Sequence, residues 1–202
     1  MNEFIAQLKE KLSRQLPGAD YQLKLEPGLR AIEMPGTKRA DAAVLLLIFP
    51  ESDRKLQLVL MKRQVYDGPH SGQICFPGGK AEPGDKSVED TALRETAEEL
   101  GICTQNIEVI GRLTEIFIPV SGYMVYPVVG LSHDKPIFKI DKGEVDYCLT
   151  ISLDDLVRTP VKETTWRHKG LNVNIPYFDI DGEMVWGATA MILSEFIEVI
   201  KR

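Results

Sequence analysis

The chain has 202 residues, 44% of them hydrophobic and 27% charged, and a formal net charge of −6. This length suits one sizeable domain that buries most of the surface its unfolded chain would expose and needs no staples. The acidic balance argues against a non-specific nucleic-acid binder, yet leaves a phosphate-bearing substrate open, because a bound cation can reverse the local sign.

Cys75, Cys103 and Cys148 are odd in number and widely spaced, and His70, His133 and His168 are scattered. Neither set offers a disulfide framework or a zinc cluster, and a reducing, cytoplasmic setting is expected. The N-terminus has no apolar core like that of a secretory signal, and no apolar run approaches the ~20 residues that span a membrane.

Phe4, Ile5, Leu8, Leu12 and Leu16 recur at helical spacing until Pro17 and Gly18 stop the pattern. The short amphipathic helix they predict packs on its own domain or on a partner subunit, with binding to a membrane surface as the lesser alternative. Residues 19–41 read as an irregular lead-in, punctuated by Pro27, Gly28, Pro35 and Gly36. Ala42–Phe49 is a short, continuous apolar run and predicts a buried strand. Leu56–Arg63 is the next strand, residues 64–72 a polar loop, and Gln73–Gly79 a strand running into a glycine turn. From Ser87 to Leu100 the period turns helical, with Ser87 as N-cap, Asp90 three residues on, and Gly101 as the left-handed stop. Strands follow at Ile107–Ile118, Met124–Leu131 and Glu144–Ser152, and LDDLVR gives one helical turn. Thr164–Lys169 and Leu171–Phe178 form a hairpin across a Lys-Gly turn, and Ala188–Ile200 closes the chain as an amphipathic helix. Without regular βαβ alternation, this order predicts an α+β fold with a mixed sheet and helices on its faces.

The strongest chemical signal is Ala92–Ile102, ALRETAEELGI. At about 100° per residue, with Glu95 as zero, Glu98 falls near 300° and Glu99 near 40°, while Leu93, Ala97 and Leu100 fall between about 140° and 200°. Three carboxylates therefore share one face, opposite an apolar one, with Arg94 beside Glu98 at i, i+4. Two readings of that face stand side by side. A solvated acidic helix would look the same, but in a cleft the repulsion would call for a hard divalent cation with oxygen ligands. Phe76-Pro77-Gly78-Gly79-Lys80 just upstream is a tight turn whose paired glycines let the backbone approach a ligand or a metal.

The whole stretch GGKAEPGDKSVEDTALRETAEELGI resembles the Nudix box, G-x5-E-x7-R-E-U-x-E-E-x-G-U, at Gly79, Arg94, Glu95, Glu98, Glu99, Gly101 and Ile102. It departs from the pattern in two places. Asp85 stands for the early glutamate, with eight residues instead of seven before Arg94, and Thr96 occupies the aliphatic position. A narrower resemblance, to the coenzyme A pyrophosphatase branch of that family, is carried upstream by Arg63, Gly72, Phe76, Pro77, Gly78 and Gly79. There Gln64 replaces a serine, Gly68 an arginine and Glu82 an aspartate. Downstream, Glu144-Val145, Ile151-Ser152-Leu153 and Trp186-Gly187-Ala188-Thr189-Ala190 are similar to that branch, so the resemblance covers roughly residues 38 to 195.

The resemblance implies a Nudix fold, a mixed β-sheet sandwiched between helices, over residues 38–202, with residues 1–37 as an N-terminal helix and lead-in. It implies metal-dependent cleavage of coenzyme A or acyl-coenzyme A to adenosine 3′,5′-bisphosphate and 4′-phosphopantetheine. Glu95, Glu98, Glu99 and the Gly79 carbonyl would hold Mg²⁺ or Mn²⁺, Arg94 would position the glutamates and pair with Asp85, and Glu98, Glu99 or Glu144 would orient or deprotonate the water. Arg39, Arg63, Lys62, Lys80 and His70 are candidates to touch the substrate, and Trp186 is read as a packing anchor. The implied partner is a small nucleotide, with neither nucleic acid nor membrane, and a homodimer is left open. Two alternatives remain: a Nudix hydrolase for another nucleoside diphosphate derivative such as ADP-ribose, and a non-catalytic Nudix-fold binding module.

Overall fold

A strand covered on both sides organises the molecule; the computed structural model describes residues 2–28, 40–51, 55–68 and 70–202. That strand is β1 (Ala40–Pro50). Its apolar run is continuous because both faces are buried. Leu46 and Ile48 enter one core, and Ala43, Leu45, Leu47 and Phe49 enter the other. β1 runs antiparallel to β2 (Leu56–Arg63) and parallel to β7 (Tyr123–Ser132), so the sheet is mixed. β3 (Ile74–Cys75) and β8 (Val145–Ser152) add to β2. β4 (Gly78–Lys80) pairs with β1, and β5 (Ile107–Arg112) and β6 (Ile116–Ile118) pair with β7.

Helix α3 (Val88–Leu100) covers one face through Ala92 and Leu100. The other face is covered by α1 (Asn2–Ser13) through Leu8 and Leu12, and by α5 (Gly187–Lys201) through Leu193, Phe196 and Val199. α4 (Leu153–Arg158) begins at Ser152, whose hydroxyl accepts from Asp155 N at 3.0 Å. A separate antiparallel sheet of β9 (Val161–His168), β10 (Leu171–Ile180) and β11 (Glu183–Trp186) sends Phe178, Ile180 and Val185 into the α5 core. The α+β reading and the helix–sheet–helix layering both hold.

The differences have local causes. The first helix ends at Ser13, three residues before Leu16, although Leu16 still packs on the core. The lead-in is not wholly irregular, since Ala19–Gln22 forms α2 and Leu23–Leu25 a 3₁₀ turn. Gln73–Gly79 splits into β3 and β4 around Phe76 and Pro77, because proline has no N–H for a ladder; the Pro77 carbonyl instead accepts from Leu45 N at 2.8 Å. Ile107–Ile118 splits into β5 and β6. The register shifts between Val109 and Gly111, and a Cβ at Gly111 would stand 2.8 Å from Leu12 Cβ. β11 had no counterpart in the reading of the sequence.

The split is held by a buried acid. Glu195 on α5 is fully buried. Its carboxylate accepts from Gly18 N at 3.1 Å, Gln22 Nε2 at 2.8 Å, Thr114 N at 3.2 Å and Thr114 Oγ1 at 2.7 Å. Gln22 Nε2 also donates to the Thr114 carbonyl at 2.8 Å. One side chain thus joins the N-terminal segment, the β5–β6 turn and the last helix. Replacing it by alanine strands several buried donors. Glu195→Ala is expected to cost about 2–4 kcal/mol in urea unfolding with an unchanged m-value; a loss within experimental error would mean water or neighbouring groups replace the carboxylate.

Candidate active site

The two ends of α3 set its rotation. Ser87 Oγ accepts from Asp90 N at 3.2 Å, and Gly101, at φ 63°, donates to the Ala97 carbonyl at 2.9 Å. A Cβ on Gly101 would lie 2.1 Å from the Lys139 carbonyl oxygen, so only glycine closes the helix there.

The buried arc of the helix is Thr91, Ala92, Thr96, Glu99 and Leu100. It does not lie opposite the carboxylates, as the helical arithmetic implied, but runs through one of them. Side-chain exposure is 60% at Glu98, 16% at Glu95 and 1% at Glu99. Glu99 tolerates burial because the β4 backbone and a cation meet it: Gly78 N donates at 2.8 Å, and Arg63 Nη1, at the end of β2, stands 3.5 Å away. Burial still dominates and pushes the Glu99 carboxyl up to about 8, against the pull of the Gly78 N–H and Arg63. Glu95 is also raised, first by burial. The charge of Glu144 acts on both, which places that exposed residue of the β7–β8 connection beside the cluster.

Arg94 is the organiser. Its Nε and Nη2 donate to the two oxygens of Asp85, each at 3.0 Å, and Nη1 donates to Glu95 at 2.9 Å and Glu98 at 3.1 Å. Nη2 also reaches the Lys80 carbonyl at 3.0 Å. Asp85, further held by Thr91 Oγ1 at 2.9 Å and Glu82 N at 2.9 Å, sits well below the usual carboxylate range, chiefly through the Arg94 hydrogen bonds. The aspartate therefore anchors the arginine despite its shorter reach and its extra residue of spacing.

The glycine pair has two distinct duties. Gly78, at φ 149°, lies so close to β1 that a Cβ would come within 2.3 Å of the Ala43 carbonyl oxygen. Gly79 faces the helix, where a Cβ would meet the Glu95 carboxylate at 2.5 Å. Among the described residues no three carboxylate, imidazole or thiol groups converge tightly enough to ligate one ion as the side chains now stand, because Glu95 and Glu98 lean on Arg94. The donor set is nonetheless all oxygen, and Glu95, Glu99 and Glu144 repel one another, so the residues fit a hard divalent cation.

Arg63 and Gly78, the two groups that meet Glu99, line a cavity of about 550 Å³. Arg63, Lys80, His70 and Trp186 all line it. His70, at φ 65°, is fixed by a 3.1 Å contact from Nδ1 to Gln73 Oε1. Trp186 also makes an edge contact with Trp166, centroids 4.7 Å apart. Lys62, by contrast with the expectation from the sequence, does not line this cavity, and its ammonium donates to Glu183 at 3.0 Å and to Tyr147 OH at 3.3 Å. Arg39 lies outside the described residues. Two neighbours of the site were not foreseen. One is the Cys75 thiol beside Arg63, which burial pushes up to about 12. The other is the apolar wall of Ile118, Tyr123 and Ile192, for which the strand and helix patterns gave only core assignments.

A family model described as NUDIX domain matches residues 38–171. NudL, a Nudix hydrolase of Pectobacterium atrosepticum, is 33% identical over 178 residues, covering 87% of this chain and 88% of its own. Nudix hydrolase 3 of Caenorhabditis elegans is 28% identical over 180 residues, 80% of this chain and 74% of its own. The crystal structure of RenU, a Nudix hydrolase from M. smegmatis, superposes with a TM-score of 0.54 at 16% identity over 84% of this chain and 94% of that one, a likeness of fold.

Two outcomes test the cluster without turnover. In chelator, Glu99 keeps its proton in the folded chain up to about pH 8 and loses it in the unfolded chain near the ordinary value of 4.5. The unfolded state then binds fewer protons, so stability falls as pH rises between those values. Glu99→Gln is expected to flatten that slope; an unchanged slope would show that Glu99 is not the group responsible. Gly79→Ala, by displacing the Glu95 carboxylate, is expected to weaken Mn²⁺ binding about tenfold or more in titration calorimetry, and undiminished binding would remove Glu95 from the ligand set.

Proposed function

We propose, from the premise that this chain belongs to the Nudix hydrolase family, that it hydrolyses the diphosphate of coenzyme A or an acyl-coenzyme A. The products would be adenosine 3′,5′-bisphosphate and the corresponding 4′-phosphopantetheine. One observation carries the reading. Arg63, the arginine of the upstream signature, stands 3.5 Å from buried Glu99 at the mouth of a cavity large enough for one arm of such a substrate.

In this reading the chain's own groups divide the work. Arg63 and Lys80 meet diphosphate oxygens, and Glu95, Glu98, Glu99 and the Gly79 carbonyl hold Mg²⁺ or Mn²⁺. Bound there, the cation would supply Lewis-acid charge neutralisation and lower the pKa of water. Glu144 would accept the water's proton; its exposure and the action of its charge on Glu95 and Glu99 support that role. The attacking oxygen bonds to one phosphorus, the bond from that phosphorus to the bridging oxygen breaks, and the bridging oxygen leaves on the other phosphate. Arg94 touches no reacting atom; it holds three carboxylates in register.

The test is coenzyme A cleavage with Mg²⁺ or Mn²⁺, products resolved by chromatography, with ADP-ribose alongside. Wild type is expected to yield the two named products, and Glu99→Gln and Glu98→Gln to lower kcat by about 10²–10³. Cleavage of ADP-ribose with coenzyme A left intact would move the substrate to another nucleoside diphosphate derivative. Cleavage of neither would make the chain a binding module.

A further inference from the structure

We propose that the two arms of the substrate lie in separate cavities that meet at Arg63. The pantetheine arm, with its acyl chain, takes the apolar cavity between the β6–β7 hairpin and α5, and the 3′-phosphoadenosine arm takes the polar cleft that holds Lys142. This assignment rests on the coenzyme A reading above.

The observation behind it is that Arg63 and Tyr66 line both spaces. Arg63 also touches Glu99, so the junction of the two cavities is the point where the diphosphate is cut. A diphosphate diester carries one substituent on each phosphorus, and a site with one cavity on each side of the scissile centre receives one substituent in each.

The chemistry of the walls decides which goes where. The apolar cavity presents Ile118, Val120, Tyr123 and Val125 from the hairpin and Met191 and Ile192 from α5. Val120 is 55% exposed at its rim. Such walls suit the dimethyl group of pantetheine and an aliphatic chain, whereas a phosphate dianion among them would lose its hydration without a partner. The second space lies between Gln64–Tyr66 and Lys142–Glu144 and is the more polar of the two. Gln64 Nε2 donates to the Lys142 carbonyl at 3.1 Å and Gln64 N to the Glu144 carbonyl at 2.9 Å, which fixes the two loops against each other. Lys142 Nζ donates to the Asp146 carbonyl at 2.6 Å, an uncharged partner that leaves its charge free for an anion. Glu144 shares the cleft and repels phosphate, but its charge acts on Glu95 and Glu99, so it belongs to the cutting end.

Steady-state kinetics on coenzyme A, dephospho-coenzyme A and decanoyl-coenzyme A test the assignment through ratios of kcat/KM, which partial unfolding of a variant does not move. Wild type is expected to favour decanoyl-coenzyme A over coenzyme A at least about tenfold, since each buried methylene contributes about fourfold. Ile118→Asp should bring that ratio close to one, as should Val120→Asp at the tolerant rim. Lys142→Ala should cut the preference for coenzyme A over dephospho-coenzyme A about fivefold, the scale of one exposed ion pair. Indifference of the wild type to chain length, or equal losses on coenzyme A and its dephospho form in Lys142→Ala, would overturn the assignment. A changed dephospho ratio in Ile118→Asp would reverse the arms. If coenzyme A is not cleaved at all, the function reading falls, and titration of adenosine 3′,5′-bisphosphate still decides the cleft: about fivefold weaker binding to Lys142→Ala keeps the nucleotide there, and equal binding removes it.

Discussion

The burial of the Glu99 carboxylate is the contact on which the site depends. A lone ionised carboxyl in that position would be strongly unfavourable. The Gly78 N–H and Arg63 offset part of that cost, and in doing so they fix three elements relative to one another: α3, β4 and the end of β2. β4 can lie that close only because Gly78 lacks a side chain against β1. The residual imbalance, a carboxyl pushed up to about 8, leaves a group whose charge the protein alone stabilises only in part and that a bound cation would stabilise further.

Arg94 complements this arrangement at the surface. One guanidinium spans Asp85, Glu95, Glu98 and the Lys80 carbonyl, using five hydrogen bonds in a planar fork. A lysine could satisfy the charge but not the geometry. Because Asp85 takes two of those bonds and is itself held by Thr91 and Glu82, the arginine is anchored from the loop side, and Glu95 and Glu98 are held by a single nitrogen. The two sides differ in consequence: the loop pair is structural, while the helix pair can be exchanged for other ligands without unseating the arginine.

Much of this was legible before any coordinates. The apolar run of β1, the Ser87 and Gly101 ends of α3 and the hairpin of β9 and β10 all follow from local chemistry, because each depends on residues near one another in the chain; the Asp85–Arg94 pairing was implied by the family resemblance. What escaped the sequence depends on distant partners. Periodicity scores glutamate as outward, so the burial of Glu99 was hidden; the group that accommodates it is a backbone N–H 21 residues away. Lys62 looked like a phosphate ligand until Glu183, 121 residues on, was found to claim it. The strand from Ile107 is bulged at Gly111, against which Leu12 of the first helix packs, and is interrupted at Thr114, which Glu195 of the last helix binds. The cavity wall could not be read at all, since its residues come from β6, β7 and α5 and meet only when the parallel pairing of β1 with β7 has formed.

The two-sided burial of β1 also divides the molecule's responsibilities. The acidic helix packs with the odd-numbered residues of that strand, Ala43, Leu45, Leu47 and Phe49, while α5, which supplies part of the apolar wall, packs with Leu46 and Ile48 on the opposite side. The acidic face and the apolar wall are therefore rooted in different layers, separated by one strand. If the wall selects the substrate and α3 carries the reaction, as proposed, substitutions that reshape the wall would leave the rotation of α3 undisturbed, and preference would be free to drift in one layer while the reaction is kept in the other.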